Sequence, residues 1–201
     1  MAQLTQQTTL FSKPGRTNTD AVLNLVKQRA ADLNINTVLI ATTTGATAAT
    51  AAKVLHPLRL IAVSHSMGYI HPNQQELLPE HLKTMHDNQV SILTTQHAFG
   101  GVNRAVRKML HTYQLDEIIA YTLRIWGQGM KAAVEIALMA ADAGLVDVET
   151  PVISISGTGR GADTAIVLQP TNAQTFFDLN IFEIICRPAA GHPGFLDESD
   201  D

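Results

Sequence analysis

Four threonines and one glycine stand together at Thr42-Thr43-Thr44-Gly45-Ala46-Thr47, between an apolar run at residues 38–41 and an alanine-rich run at 46–55. The first run has the length and branching of a buried strand, and the second has the composition of a helix. A turn of this kind puts hydroxyls and unpaired backbone N–H groups at a helix N-terminus, where the helix dipole favours an anion. Two readings follow from the local sequence. The turn is a cradle for a phosphate, or the threonines cap the helix.

Three other apolar runs also open into polar, glycine-bearing loops. Residues 58–63 lead into Ser64-His65-Ser66-Met67-Gly68, residues 90–93 into Gln96-His97 with Gly100-Gly101, and residues 152–156 into Gly157-Thr158-Gly159-Arg160-Gly161-Ala162-Asp163. Ligands of open α/β sheets bind beyond the carboxyl ends of the strands, so four such loops at one end mark a binding edge. His65 and His97 titrate near neutrality and suit an acid–base or phosphate-holding role, or a structural one. No carboxylate stands at ligand spacing beside either, and no metal is expected. Gly127-Gln128-Gly129 offers a second helix start for an anion, and Lys131 with Glu135 reads as an i, i+4 pair. Arg160 and Asp163 read as an ion pair or loop brace.

Some familiar chemistries are absent. The Gly157–Ala162 run matches G-x-G-x-x-A formally, but the residues after it read as a strand, where a dinucleotide site requires a helix. There is no P-loop motif, nucleophile elbow or ordered Ser-His-Asp set.

The elements that must position these loops follow from periodicity. Val22, Leu25, Val26 and Leu33 keep helical spacing, Thr17 with Asp20 has the spacing of a capping box, and Asn34 is a stop. Pro79 suits the first turn of a helix over 80–88, and a basic helix carries Arg104, Arg107 and Lys108. Residues 115–145 are helical with a break at Gly127-Gln128-Gly129; the second half is apolar nearly all round, with Lys131, Glu135 and Asp142 as one polar edge. Residues 164–168 and 182–186 are two further strands without a helix-length crossover between them. The expected fold is α/β: three-layer α/β/α, with a mostly parallel sheet and an antiparallel edge.

At 201 residues the chain suits one domain, assigned to residues 1–195, with a solvated acidic tail at 196–201. Asp197, Glu198, Asp200 and Asp201 match the net charge of −4, which leaves a balanced body without a basic nucleic-acid footprint. The single cysteine, Cys186, excludes an internal disulfide and reads as inert core. The opening MAQLTQQTTLFSKPG lacks the pattern of a secretory signal, and no apolar run is long enough to cross a bilayer, so a cytoplasmic protein without a membrane partner is expected.

The segments VLIATTTGATAATAAKVL, LRLIAVSHS and GADTAIVLQP resemble the C-terminal α/β domain of pyruvate kinases. Over nearly its full length the chain resembles a family of stand-alone archaeal and bacterial proteins built on that domain. The landmarks are Phe11-Ser12-Lys13-Pro14-Gly15 with Asn18-Thr19, His65 with Gly68, His97 with Gly100-Gly101 and Arg104, then GQGMKAAVEIALMAADAG, GRGADTA and FFDLNIFEIICRP. The resemblance implies a phosphate site at the Thr/Gly turn, flavin mononucleotide (FMN) as ligand and self-association into a homo-oligomer. It implies no pyruvate kinase activity, since that chemistry resides in a separate barrel domain. Kinase turns often carry Arg or Lys where Ala46 stands, so hydroxyls and backbone N–H groups are left as the phosphate ligands. The expected function is a binding protein for a phosphorylated small molecule. The alternatives are a flavin-dependent enzyme using the same pocket and a structural or self-association module.

Overall fold

The computed structural model describes residues 3–189, so the acidic tail at 196–201 lies outside the described residues. Seven strands form one sheet in the order β1-β7-β6-β5-β2-β3-β4. They are β1 (Thr9–Phe11), β2 (Thr37–Ala41), β3 (Arg59–Ser64), β4 (Ser91–Thr94), β5 (Val152–Ser156), β6 (Thr164–Gln169) and β7 (Asn180–Pro188). The helices are α1 (Thr19–Leu33), α2 (Ala46–Val54), α3 (Pro79–Asp87), α4 (Val102–Leu110), α5 (Leu115–Arg124) and α6 (Gln128–Asp142). The block β5-β2-β3-β4 is parallel, β6 runs antiparallel to both β5 and β7, and β1 is parallel to β7. This is the three-layer α/β/α fold with a mostly parallel sheet.

Alternation along the strands sorts the core into two layers. Val38 and Ile40 of β2 meet Val22 and Val26 of α1, the alanines of α2 and Met85 of α3. Leu39 turns the other way, to Ile61 and Val63 of β3, α6 and Ala120 of α5. Ala48, Ala49, Ala51 and Ala52 of α2 are all buried, as small side chains allow a helix to lie close on a sheet. Asn34 closes α1 in the left-handed conformation at φ 54°, and Pro79 opens α3 at its first turn.

Four sequence expectations are corrected. The short strand β1 was not expected; it exists because β7 offers it an edge, with Thr9 opposite Cys186. The capping box of Thr17 and Asp20 does not form. Thr17 lies in a 3-10 turn, and Asn18 precedes α1 without a side-chain cap. Leu33 is 38% exposed, and the inward stripe of α1 is Val22, Leu23, Val26 and Ala30. Lys131 and Glu135 do not form a polar edge, because both are buried where α6 is covered by the sheet and α5. Among the described residues no helix is long and apolar enough to cross a membrane.

Candidate functional site

A helix that follows or precedes a parallel strand begins at that strand's carboxyl end. The starts of α2 and α6 therefore share one edge of the sheet with the ends of β2, β3, β4 and β5. Sheet order places the loops along that edge as the 157–163 loop, the threonine turn, the His65 loop and the His97 loop.

The threonine turn is not a cap. Gly45 occupies the N-cap of α2 with φ 91°, and no side chain caps the N–H groups within the helix. Thr42 is buried, its N–H donating to Val63 O at 3.0 Å and its Oγ1 accepting the Gly45 N–H at 3.2 Å. The first bond of the helix runs from Ala49 N–H to Gly45 O at 2.8 Å, which leaves the N–H groups of Ala46, Thr47 and Ala48 outside the helical ladder. The hydroxyls of Thr43, Thr44 and Thr47 make no hydrogen bond within the described chain, and all three residues are half-buried. The start of α3 packs over one side of the turn, where Leu78 N–H donates to Thr44 O at 3.0 Å.

The two histidines meet. The His65 and His97 rings lie 5.2 Å apart, each beside Tyr69 at 4.2 and 4.9 Å, and the Arg104 guanidinium stands 4.9 Å from the Tyr69 ring centre. Behind them Glu76 Oε2 approaches His65 Nδ1 to 3.5 Å, an ion-pair distance too long for a settled hydrogen bond. Nδ1 and both Glu76 oxygens are buried without another partner. Burial pushes the His65 pKa down, opposed by Glu76. Burial also takes His97 down to about 4, with Glu135 opposing. Glu76 lies eleven residues after His65 and no sequence spacing announced it. The clue was the turn chemistry of Gly68 (φ 76°) and His71-Pro72-Asn73 (Asn73 φ 61°), which folds the loop back so that Gly68 N–H reaches Gln74 O at 2.9 Å.

His97 yields a pH prediction. Its folded pKa near 4 lies below the ordinary 6.5, so between those values the unfolded chain binds more protons, and stability falls as the pH falls. Urea unfolding at pH 7.5 and 4.5 is expected to show a smaller loss for His97→Phe than for the wild type. Equal losses would mean that His97 is solvated.

Several polar and glycine positions at this edge are committed to the fold. Ser64 is buried and its Oγ lies 2.7 Å from Thr94 Oγ1, tying β3 to β4. Asp163 is fully buried and braces three segments, accepting the Gly15 N–H at 2.8 Å, the Thr158 N–H at 3.0 Å and the Thr164 hydroxyl at 2.8 Å. It is the expected loop brace, without an ion pair to Arg160, which is exposed beside the open Gly159. Gly157 and Gly161 are packing glycines; a Cβ on Gly161 would lie 2.6 Å from Thr19 Oγ1. Gly129 is buried against Thr164 and Asp163, and its carbonyl accepts from Ser156 Oγ at 2.5 Å. Gly127, at φ 116°, opens α6 with no side-chain cap. Lys131 is 5% exposed and ion-paired with Glu135, whose Oε1 accepts the Phe99 N–H at 3.0 Å. Burial pushes the Lys131 pKa down, with Glu135 opposing. Lys131 therefore holds Glu135, whose carboxylate fastens the loop after β4. Gly68, Gly127, Gly159, Arg160, His65, His97 and the threonine turn remain at the edge.

The domain model for "Pyruvate kinase, alpha/beta domain" matches residues 20–168. The chain belongs to that family. As a pyruvate kinase alpha/beta domain protein, it carries the threonine turn, both histidines and the 157–163 loop inside the matched span. Among solved structures it is similar to the pyruvate kinase of Cryptosporidium parvum in complex with ADP, at 14% identity and TM-score 0.37, over 83% of this chain and 23% of that one. It is also similar to the NH3-dependent NAD synthetase of Campylobacter jejuni in complex with the nitrate ion, at 11% identity and TM-score 0.39, over 68% of this chain and 54% of that one. The chain thus spans about a quarter and about half of those two proteins, and at these scores neither likeness says anything of its chemistry.

Two cavities, of about 200 and 330 Å³, lie away from this edge. The smaller is lined by Ala30, Asn34, Leu55 and Pro57 at the amino end of the sheet. The larger lies between Thr5–Gln7, α1 and β7.

Proposed function

We propose that this protein binds a phosphate-bearing small molecule at the carboxyl edge of its sheet, with FMN the candidate ligand. One observation carries the reading: the start of α2 has three N–H groups outside the helical ladder, no side-chain cap, and unbonded hydroxyls at Thr43, Thr44 and Thr47 beside it. That donor set fits a phosphate, because oriented N–H groups and hydroxyls at a helix N-terminus neutralise an anion without a lysine or arginine. Gly45 completes the turn, Ala46 contributes its N–H group, and Gly127 at the open start of α6 is a further contact. The rings of His65, Tyr69 and His97 supply an aromatic surface for the remainder of the ligand. Phosphotransfer of the pyruvate kinase kind is not part of this reading, and the place of action it assumes is the cytoplasm.

The test is a visible spectrum of the purified protein, with a titration of FMN and of inorganic phosphate. Flavin absorption, or saturable FMN binding, is expected for the wild type. Thr44→Val/Thr47→Val is expected to weaken it about a hundredfold or more, the loss of two hydroxyl hydrogen bonds to a charged group at about 1.5–3 kcal/mol each. A colourless protein that binds neither ligand sinks the reading.

A second reading rests on the buried contact of His65 Nδ1 with Glu76, neither of which has a hydrogen-bond partner. A carboxylate behind an imidazole orients the ring and favours its protonated form, which suits an acid–base group facing the ligand. FMN, when bound, supplies two-electron redox chemistry; His65 would hold or release a proton at the same edge. Reduction of bound flavin by a nicotinamide cofactor, slowed in Glu76→Gln at unchanged flavin affinity, is the result that favours an enzyme over a binding protein.

A further inference from the structure

We propose that the carboxyl edge takes up one proton together with its anion, and that His65 carries this proton between the Glu76 carboxylate and the ligand. The proposal rests on the reading of the edge as an anion site. His65 Nδ1 lies 3.5 Å from Glu76 Oε2, and neither these atoms nor Glu76 Oε1 have a hydrogen-bond partner, although all three are buried. A neutral imidazole serves only one side here. With its proton on Nδ1 it donates to Glu76, but Nε2 then turns a lone pair towards an arriving anion. With its proton on Nε2 it donates to the anion, but Nδ1 then turns a lone pair towards a carboxylate. Only the imidazolium donates both ways. Nε2 makes no hydrogen bond within the described chain and is not among the buried atoms that lack a partner, so it is open to a ligand.

The His65 loop is the neighbour of the threonine turn. Ala41 pairs with Val63, and the Thr42 N–H donates to Val63 O at 3.0 Å. The two loops therefore leave adjacent parallel strands, whose backbones lie about 5 Å apart. A phosphate at the start of α2 is close enough to couple to the imidazole wherever water is excluded. The groups around His65 set the sign. Its own loop brings Glu76 and Tyr69, the loop after β4 brings His97, α4 brings Arg104, and α6 brings Glu135 with Lys131. Lys131 and Glu135 cancel as an ion pair, and Arg104 balances Glu76. His97, pushed down to about 4, is neutral at pH 7. Burial likewise keeps His65 below its ordinary 6.5, so without an anion this ring is neutral at pH 7. An arriving phosphate tips the balance to negative and raises the His65 pKa. The added affinity is present below the pKa of the liganded state and fades as the pH rises through it.

The experiment is isothermal titration calorimetry of the full chain with FMN and with inorganic phosphate, in buffers of different ionisation enthalpy, which counts the protons exchanged. Comparison with His65→Gln cancels the ionisation of the ligand itself. At pH 7 the wild type is expected to take up about 0.5–1 proton more per ligand than this variant, and its advantage in affinity should grow about three- to tenfold from pH 8 to pH 7. Glu76→Gln should lose the same uptake, because its amide does not hold the imidazolium, and at pH 9 it should bind as the wild type does. In the wild type alone, the Cε1–H resonance of His65 should titrate below its ordinary 6.5 without ligand and above about 7 with FMN. Binding with equal uptake in the wild type and His65→Gln overturns this proposal and leaves the anion site standing. A His65 resonance that titrates alike with and without FMN does the same. A protein that binds neither FMN nor phosphate sinks both.

Discussion

Gly45→Ala is expected to lower the stability of the fold by about 2–4 kcal/mol, a fall in melting temperature of roughly 5–15 °C for a domain of this size. Two costs combine. At φ 91° an L-residue pays about 1–2 kcal/mol that glycine does not. The new Cβ would also stand 2.7 Å from His81 Cβ and 3.3 Å from Met85 Cε, and forcing atoms into a packed site costs about 1–3 kcal/mol. Relief requires α3 to move away from the start of α2, which also displaces the turn that the proposed phosphate uses. Denaturant unfolding and ligand titration should therefore fail together. A variant within about 1 kcal/mol of the wild type would show that the turn is looser than its contacts imply.

Glu135→Ala should be comparably damaging, at about 3–5 kcal/mol, because it strands a buried lysine. Lys131 is 5% exposed and Glu135 3%, so water does not reach the charge that is left. The Phe99 N–H loses its acceptor at the same time, which loosens the loop that carries His97. The variant should regain stability as the pH rises towards 10.5. With its folded pKa already pushed down by burial, Lys131 binds its proton more weakly folded than unfolded, so deprotonation favours the folded state. Lys131→Met/Glu135→Met should recover most of the loss, short of about 1–3 kcal/mol for the unpaired Phe99 N–H. A Glu135→Ala protein that melts like the wild type would mean that the pair is solvated.

The sheet was legible because its strands are short, apolar and bounded by glycine, proline or threonine. Periodicity of two against periodicity of 3.6 depends on local sequence, and so do the helix stop at Asn34 and the helix start at Pro79. Membership of the pyruvate kinase alpha/beta domain family was legible for a related reason: the strand–threonine turn–alanine helix is one contiguous segment. What failed was whatever depends on a partner distant in sequence. The strand Thr9–Phe11 exists only because Cys186, Arg187 and Pro188 lie beside it. The capping spacing at Thr17 and Asp20 was overridden because the adjoining Thr19 is drawn to the Ala162 N–H.

The carboxyl edge divides in the same way. Which loops would meet there followed from the sequence, since every parallel strand delivers its following loop to one end. Tertiary structure decided which side chains those loops keep free. Asp163 forms the brace and Lys131 the i, i+4 pair that the sequence suggested, while Ser64, at the mouth of the His65 loop, bonds Thr94; each is taken up by the chain because a buried polar atom must find a partner. Glu76 and Tyr69 joined the histidines because a turn folded a loop back, which spacing along the chain does not encode. The threonine turn itself could be read locally as cap or cradle. Tertiary structure shows no side-chain cap there: Gly45 takes the capping position, and the hydroxyls of Thr43, Thr44 and Thr47 are unbonded within the described residues.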